Sequence, residues 1–478
     1  MPNLADKKVC CGCQACVAAC PVKAINVIQD ENWFIYPAIN KDKCINCGAC
    51  EKVCPVITPK IKKEYTKVTT FSGYLNDAEK LRQSSSGGFA TALSEYVLQN
   101  RGIVYGVKYN DDFSKAEYIR IDEIEQLNQV KGSKYIMSEI EPKVYKTIEK
   151  DLNNGLIVLF IGCPCEVYSL KNYLFNTNTE NLITGEVICQ GGTSPRALHE
   201  FVNTNEEKYK SKIVSLNMRY KKDGQWLPYC INFQTASGIT ETQILANTDF
   251  NASFYNVKRL SCYNCLFKYP NGAADFTMGD HIGVNNQDDS YNEKGVSIVF
   301  INTKKGETIF SNLDMFKSFQ ETYEKGSGIQ SCLTESFKRL PYSAEFEKIF
   351  HQDGLQAAAE YFEKSKIKTF EDLICNVRNL NGNNKNFKCI IWGVGRYFEI
   401  TYETILNKIP NSVIVGIVDK YKDGYKHNIK INKISSLKEM DFDHIFITTI
   451  SGKEEAMKTL KEFFGEEITK KITIAIPQ

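Results

Sequence analysis

The sequence predicts an α/β protein in three folded parts: a small α+β module at residues 1–60, a large α/β core at 68–345 and a further α/β domain at 387–478, with a helical connector and linker at 346–386. Three observations predict it. Nine of the 18 cysteines crowd into residues 10–54 in two matching sets. Through the middle of the chain, short apolar runs that end in glycine- and cysteine-bearing turns alternate with stretches of helical periodicity, as strands feeding helices do. Near the C-terminus an apolar run enters a glycine turn, then a helix, then a second strand, at βαβ spacing. At roughly 100–200 residues per domain, 478 residues exceed one hydrophobic core.

Apolar residues make up 42% of the chain and charged residues 24%, with a formal net charge of +2. That balance is ordinary for a globular protein, and no block of like charge is long enough to bind nucleic acid. The N-terminus lacks an apolar run of signal-peptide length, and no stretch of about 18 apolar residues occurs. The expectation is a cytoplasmic protein with no membrane span and no nucleic-acid partner. In a reducing compartment, a dense, spaced set of cysteines such as that at 10–54 means metal rather than disulfides.

The N-terminal module is defined by two segments that match term by term. Cys10, Cys13, Cys16 and Cys20-Pro21 repeat as Cys44, Cys47, Cys50 and Cys54-Pro55, each pair 34 residues apart. Both read C-x2-C-x2-C-x3-C-P, a duplicated half-ferredoxin. Two-residue gaps let a turning loop aim three thiolates at one iron–sulfur cube, while the fourth cysteine ligates the other cube. Two 4Fe-4S clusters follow, one held by Cys10, Cys13, Cys16 and Cys54, the other by Cys44, Cys47, Cys50 and Cys20. A structural zinc site is the plainer alternative, but zinc does not call for a third cysteine and a C-P ending twice over. Cys11 lies outside the pattern and reads as a bystander. Residues 25–39 alternate enough to form short strands.

The core begins after a lysine-rich connector, Lys60 to Lys67. Ser84-Ser85-Ser86-Gly87-Gly88 precedes a helical stretch, an arrangement that lets backbone N–H groups approach a phosphate, although a simple helix cap explains it as well. Two apolar strands end at Gly162-Cys163-Pro164-Cys165 and at Cys189-Gln190-Gly191-Gly192, and a C-x2-C pair follows at Cys262 and Cys265. Ligands bind at the carboxyl ends of strands in open α/β sheets. A third four-thiolate site, a zinc knuckle and plain buried thiols all remain open by spacing.

These segments carry a family resemblance. Ser85 to Phe89, Gly132-Ser133-Lys134-Tyr135, Gly162 to Cys165, Cys189-Gln190-Gly191, Ser261 to Cys265, Ala274 to Asp280 and Gly295 to Ile298 resemble the beta-subunit family of coenzyme F-420 hydrogenases and dehydrogenases, over roughly residues 1–345. The resemblance implies an iron–sulfur flavoprotein that binds FAD. Ser85, Ser86, Gly87, Gly88 and Lys134 match the parts that line the FAD pocket. Cys165, Cys189, Cys262 and Cys265 match the cysteines of a further 4Fe-4S cluster near the flavin, with Cys163 the residue most easily exchanged for Cys165. The deazaflavin coenzyme itself is not implied, and His281-Ile282 stands where many bacterial relatives have an aromatic pair. The bacterial branch is tied to surface-polysaccharide genes, so the implied substrate is a small molecule, a sugar derivative being the candidate.

Elsewhere the reading is plainer. Arg219 to Trp226 reads as a solvated hairpin turn around Asp223-Gly224, against an anion-guiding role. Asp275 and Asp280 either orient a reacting group or cap a turn. His199 and His281 read as structural, and Cys230, Cys332, Cys375 and Cys389 as ordinary buried thiols. The C-terminal part is Rossmann-like: Phe387 to Trp392 enters Gly393-Val394-Gly395, a helix covers about 397–406, and Val413 to Val418 ends in Asp419. The third glycine of G-x-G-x-x-G is replaced by Phe398, so nucleotide or nucleotide-sugar binding competes with a simple packing domain.

The fold class is therefore α/β: an α+β ferredoxin module, an α/β flavin and iron–sulfur core, and a C-terminal Rossmann-like domain. The expected activity is a flavin- and 4Fe-4S-dependent oxidoreductase that takes electrons from an external low-potential donor such as ferredoxin. The rival reading is a non-catalytic electron-transfer subunit feeding a partner enzyme. A redox sensor is a third, which no DNA-binding motif supports.

Overall fold

The structure is a computed structural model. It describes all residues except 62–67, 329, 376, 378–385, 396, 410, 421, 450–452 and 476–478, and all of their side chains but those of 367, 369–375 and 454. Most of the connector after Lys60, most of the linker at Asn379 to Asn386 and the side chain of Cys375 thus lie outside the described residues. The chain divides into two compact units, Met1–Ala359 and Glu360–Gln478.

In the first unit each cysteine loop runs into a one-turn helix, Ala15–Ala18 and Ala49–Lys52, and the segment between them pairs as antiparallel strands β1 (Ile25–Gln29) and β2 (Ile35–Ile39). The core sheet uses β3 (Thr69–Leu75), β4 (Ile103–Tyr109), β5 (Ala116–Ile121), β6 (Ser138–Glu139), β7 (Val158–Gly162) and β8 (Leu182–Val187). Strands β9 (Ile213–Tyr220), β10 (Cys230–Thr235) and β11 (Thr240–Ile244) form a separate antiparallel sheet. Then β12 (Phe276–Asp280), β13 (Ser297–Ile301) and β14 (Phe316–Glu321) complete the core sheet in the order β14-β3-β13-β12-β8-β7-β4-β5-β6.

The centre of that sheet is parallel, β12 on β8 on β7 on β4. Strands covered on both faces read as continuous apolar runs, and Val158-Leu159-Phe160 is buried throughout. Because β7 and β8 are parallel neighbours, their carboxyl ends share one edge of the sheet. Cys163 follows β7 directly and Cys189 lies two residues past β8.

The helices that leave this edge are locally encoded. Pro164 opens the helix Pro164–Tyr173, and the Glu166 carboxylate accepts the Cys163 N–H at 2.7 Å, which fixes Cys163 and Cys165 at the helix start. Ser194 caps Pro195–Tyr209 by accepting the Ala197 N–H at 3.2 Å, a bond worth about 1 kcal/mol.

Between β9 and β10 the chain turns at Asp223 (φ 54°) and Gly224 (φ 76°), but the solvated turn expected over 219–226 is a correction: Arg219 and Lys221 are buried. Arg219, in β9, bonds Asp280, and Lys221, just past the strand end, donates to Leu81 O and Ser86 O.

In the second unit six strands order as β17-β18-β16-β15-β19-β20, with β15 Phe387–Trp392, β16 Ser412–Val418, β17 Tyr425–Lys426, β18 Ile429–Asn432, β19 His444–Ile447 and β20 Ile472–Ile474. All neighbours but β17 and β18 are parallel. The Asp419 carboxylate accepts the Val394 N–H at 2.7 Å and the Lys422 N–H at 2.9 Å. The acid that sequence spacing offers to a ribose is therefore bonded to the glycine turn itself. Among the described residues, no helix of either unit is long and apolar enough to cross a membrane.

Candidate functional site

The two cysteine loops share a backbone code. Gly12 and Asn46, 34 residues apart, both take positive φ (72° and 56°), as do Gln14 and Gly48 (59° and 69°). A left-handed residue between successive cysteines curls the loop so that its thiols face inward. Backbone N–H groups then point at sulfur: Ala24 donates to Cys20 Sγ at 3.1 Å, Val17 to Cys16 and Glu51 to Cys50, the last two again 34 apart.

Cys20 comes together with Cys44, Cys47 and Cys50 around a recess of about 310 Å³. Cys10, Cys13, Cys16 and Cys54 ring a second recess of about 400 Å³, which Cys50 also borders. The first is an outer site, with Cys47 exposed and Val22 and Ile45 exposed at its rim. The second is an inner site. There burial raises the Cys10 thiol against the Arg259 charge, which lowers it, and burial raises Cys16 and Cys54 as well.

Cys11, taken for a bystander, is buried between the module and the core. It packs in one buried cluster with Cys13, Cys165 and Cys265, and its thiol lies 3.8 Å from Ser169 Oγ. Tyr145 Oη donates to Cys13 O at 2.7 Å, clamping the same loop.

On the far side of Cys11, at the shared carboxyl edge of β7 and β8, a recess of about 530 Å³ is lined by Cys163, Cys165, Cys189, Cys262, Cys265 and Cys332. The expectation that Cys332 is an ordinary thiol without partners is corrected: tertiary folding brings it from 67 residues beyond Cys265 to this wall. Gly191 and Gly192 donate backbone N–H groups to Cys189 and Cys262 sulfur, both at 3.3 Å. A hydrogen bond between the free Cys163 and Cys189 thiols lowers Cys189 and raises Cys163. Cys163 and Cys165 both face the recess, so geometry leaves either as a ligand.

Buried cations surround this wall. Lys268 Nζ donates to Cys189 O and Cys332 O, both at 2.5 Å. Lys258 Nζ donates to Gly191 O at 3.2 Å and lies 3.7 Å over the Phe254 ring, and burial lowers its ammonium to about 8. Glu186 faces the same recess; Thr277 Oγ1 donates to it at 2.8 Å, and burial raises its carboxyl to about 7. Among the described residues no three His, Cys, Asp or Glu side chains close around a single ion. The thiols ring wider recesses instead. Convergent thiols and amides aimed at sulfur fit an anionic iron–sulfur cube at all three places, and buried cations join them at the inner site, through Arg259, and at the third, through Lys258 and Lys268.

A second neighbourhood joins the two segments that the resemblance links to flavin. Ser85 Oγ lies 3.2 Å from Ser133 Oγ. Ser86 Oγ donates to Val296 O at 2.7 Å, and Gly87 N–H donates to Ser297 Oγ at 3.0 Å. A Cβ on Gly87 would lie 2.2 Å from Gly73 O, so its lack of a side chain serves the close approach of loop to β3. Gly88 (φ 82°) starts the helix Phe89–Gln99.

One lysine reaches the loop directly, and a second lies in the segment whose Ser133 touches Ser85. Lys221 Nζ donates to Leu81 O and Ser86 O at 2.7 and 2.6 Å, and Lys134 Nζ donates to Lys131 O and Gly132 O at 2.7 and 3.3 Å. Burial lowers both to about 7, with the Arg219 charge adding to the effect on Lys221. Dehydrated ammonium groups held by carbonyls fit a diphosphate, whose charge would restore theirs.

Arg219 itself bonds Asp280 at 2.8 Å and stacks 3.9 Å from the Tyr229 ring; against burial, it keeps the Asp280 carboxyl below its ordinary range. Asp275 is a structural brace, accepting Thr184 N–H and Oγ1 and Thr303 Oγ1. His281 is buried 3.8 Å from Glu321, and Cys230 and Cys389 lie apart from every recess described above. Sequence reasoning missed Lys258, Arg259 and Lys268, although they immediately flank the Cys262–Cys265 pair.

Profiles of known families match four stretches of the chain. The profile for the C-terminal part of the coenzyme F420 hydrogenase/dehydrogenase beta subunit matches residues 156–322, and the profile for its N-terminal part matches 70–142. "4Fe-4S dicluster domain" matches 9–57, and "C2185-like, N-terminal" matches 385–472. Among curated proteins none matches. Among solved structures the chain is similar to one from the F420-reducing [NiFe] hydrogenase complex of Methanosarcina barkeri, at 20% identity and a TM-score of 0.39, over 64% of this chain and 96% of that one.

Proposed function

The chain belongs to the beta-subunit family of coenzyme F420 hydrogenases and dehydrogenases, and on that premise we propose that it is an iron–sulfur flavoprotein oxidoreductase with three 4Fe-4S clusters and one FAD, acting between an external low-potential donor such as ferredoxin and a small molecule, a sugar derivative being the candidate. The observation that carries this reading is the packing of buried Cys11 against both Cys13 and Cys165, which makes the inner site and the six-cysteine recess adjoin. An exposed outer site, a buried inner site and a buried third site make an ordered series from surface to core.

In this reading Cys10, Cys13, Cys16 and Cys54 hold one cluster, Cys44, Cys47, Cys50 and Cys20 the second, and Cys189, Cys262 and Cys265 with Cys165 or Cys163 the third. The clusters supply one-electron transfer and the flavin two-electron chemistry on the substrate. The protein's own residues do the rest. Exposed Val22 and Ile45 offer a donor an apolar rim around Cys47. Tyr145 and Ser169 hold the Cys11–Cys13 loop against the core and keep water from it. Lys258 and Lys268 offset the negative charge of a reduced cluster. Ser85, Ser86, Gly87, Gly88 and Lys134, joined by Lys221, would hold FAD, the lysines taking its diphosphate.

Anaerobic purification with iron, sulfide and flavin quantification tests the proposal. About twelve irons and one FAD per chain are expected, at four irons per cluster. About eight irons would remove the third cluster, and absence of flavin would sink the FAD part. The family's description as a beta subunit favours a second reading, in which the chain feeds a separate catalytic partner. Substrate turnover by the isolated protein supports the first reading; turnover only in a complex supports the second.

A further inference from the structure

We propose that Arg259 is a positioning residue that raises the reduction potential of the inner cluster above that of the outer one, so that an electron taken up at the surface moves inward. Its guanidinium is fully buried at 0% exposure, and the acceptors against it are two carbonyls and a cysteine sulfur rather than a carboxylate. Nε donates to Cys10 O at 2.8 Å, and Nη2 donates to Ile35 O at 2.8 Å and lies 3.9 Å from Cys10 Sγ. The group stacks 4.2 Å from the Tyr36 ring. Nη1 is buried with no hydrogen-bond partner among the described residues.

Gly12 shows where that free donor is directed. A Cβ on Gly12 would lie 2.7 Å from both Cζ and Nη1, so the cysteine loop itself makes room for the guanidinium. Nη1 faces the loop backbone at Gly12, while Nη2, 3.9 Å from Cys10 Sγ, reaches one of the thiols that ring the inner recess. A buried positive charge and an N–H···S bond both favour the cluster with one more electron, and hydrogen bonds to sulfur are a known lever on potential. The equivalent residue of the other repeat is Asn46, which is exposed and has no guanidinium against it. Arg259 also links the sites by its backbone: its N–H donates to Gly192 O at 3.0 Å and its carbonyl accepts the Cys262 N–H at 2.9 Å. One residue thus touches the inner cysteine loop with its side chain and the third-site loop with its main chain.

This inference rests on the inner site holding a cluster, as proposed above. The experiment is anaerobic potentiometric EPR on the full-length protein with Arg259→Gln and Arg259→Lys, a Cys44→Ala variant serving to identify the outer cluster's signal. In Arg259→Gln the inner cluster's potential is expected to fall by at least about 59 mV, a tenfold change for a one-electron couple, while the outer cluster's stays in place. Arg259→Lys, which keeps charge but loses the fork, is expected to fall by less and to retain the iron content of the parent even if the Gln variant does not. An inner-cluster potential that stays in place in Arg259→Gln, or an equal shift of both clusters in that variant, overturns the inference. A parent protein with no inner-cluster signal overturns the functional reading with it, which iron content of about four fewer atoms per chain would show separately.

Discussion

The two halves of the cysteine repeat have the same spacing, matching left-handed positions and matching N–H to sulfur contacts at Cys16 and Cys50, yet they live in different surroundings. Around Cys44 to Cys50 the loop is mostly open to solvent, with Cys47 exposed. Around Cys10 to Cys16 it is covered by Arg259, Tyr145 and the Cys11–Ser169 contact. Local sequence therefore makes two equivalent cradles, and what packs over each one makes them unequal. Burial, charge and hydrogen bonds to sulfur tune a cluster's potential, so the asymmetry has a redox consequence.

The sharpest way to break this comparison is to remove one cradle at a time. Cys47→Ala is expected to lose about four irons and abolish reduction by a protein donor, while dithionite still reduces the remaining clusters. Donor-linked reduction that survives would make the outer half dispensable and the ordered series wrong. Cys262→Ala is expected to lose about four irons from the core and leave both N-terminal EPR signals intact, which would separate the third site from the repeat. A change in all signals together would show instead that the three sites fold as one.

Smaller effects sharpen the picture. Gly87→Ala drives a methyl against Gly73 O and is expected to cost about 1–3 kcal/mol, seen as a lower Tm and weaker flavin retention. Flavin retention also carries a pH signature. Burial lowers Lys134 and Lys221 to about 7, so in the apoprotein both are charged below that pH and lose charge above it. An anionic ligand binds the charged form, so affinity for FAD is expected to fall as pH rises through 7, by up to about tenfold per unit for each lysine. Equilibrium titration of apoprotein from pH 6 to 9 checks this, and Lys221→Met should flatten the profile. The least effect belongs to Cys11→Ser, which keeps a polar group between Cys13 and Cys165; it should slow reduction of the third cluster in stopped flow while leaving iron content unchanged.

How much could be read from the chain depends on distance along it. The N-terminal cysteines announce themselves because their geometry is written within 12 residues of loop, and residues 25–39 pair as strands between them as their alternation suggests. Cys189 and the Cys262–Cys265 pair could be suspected from strand ends and C-x2-C spacing. Cys332 could not, since nothing near it repeats or alternates. Arg219 and Lys221 were misjudged for a related reason: a charged hairpin flank reads as solvated unless the sheet beneath it is known. Asp419 shows the converse, an acid at dinucleotide spacing whose carboxylate is bonded to its own turn.

By itself the sequence determined the α/β class, the duplicated cysteine loops and the strand-then-turn segments that carry the remaining thiols, because those features arise from backbone geometry over a few residues. Only tertiary structure decided which repeat is buried, that Cys11 sits between two thiol sites, and that six cysteines share one wall. Burial and long-range contact depend on which strands become neighbours, and the parallel pairing of β7 with β8 is a property of the whole sheet rather than of either strand.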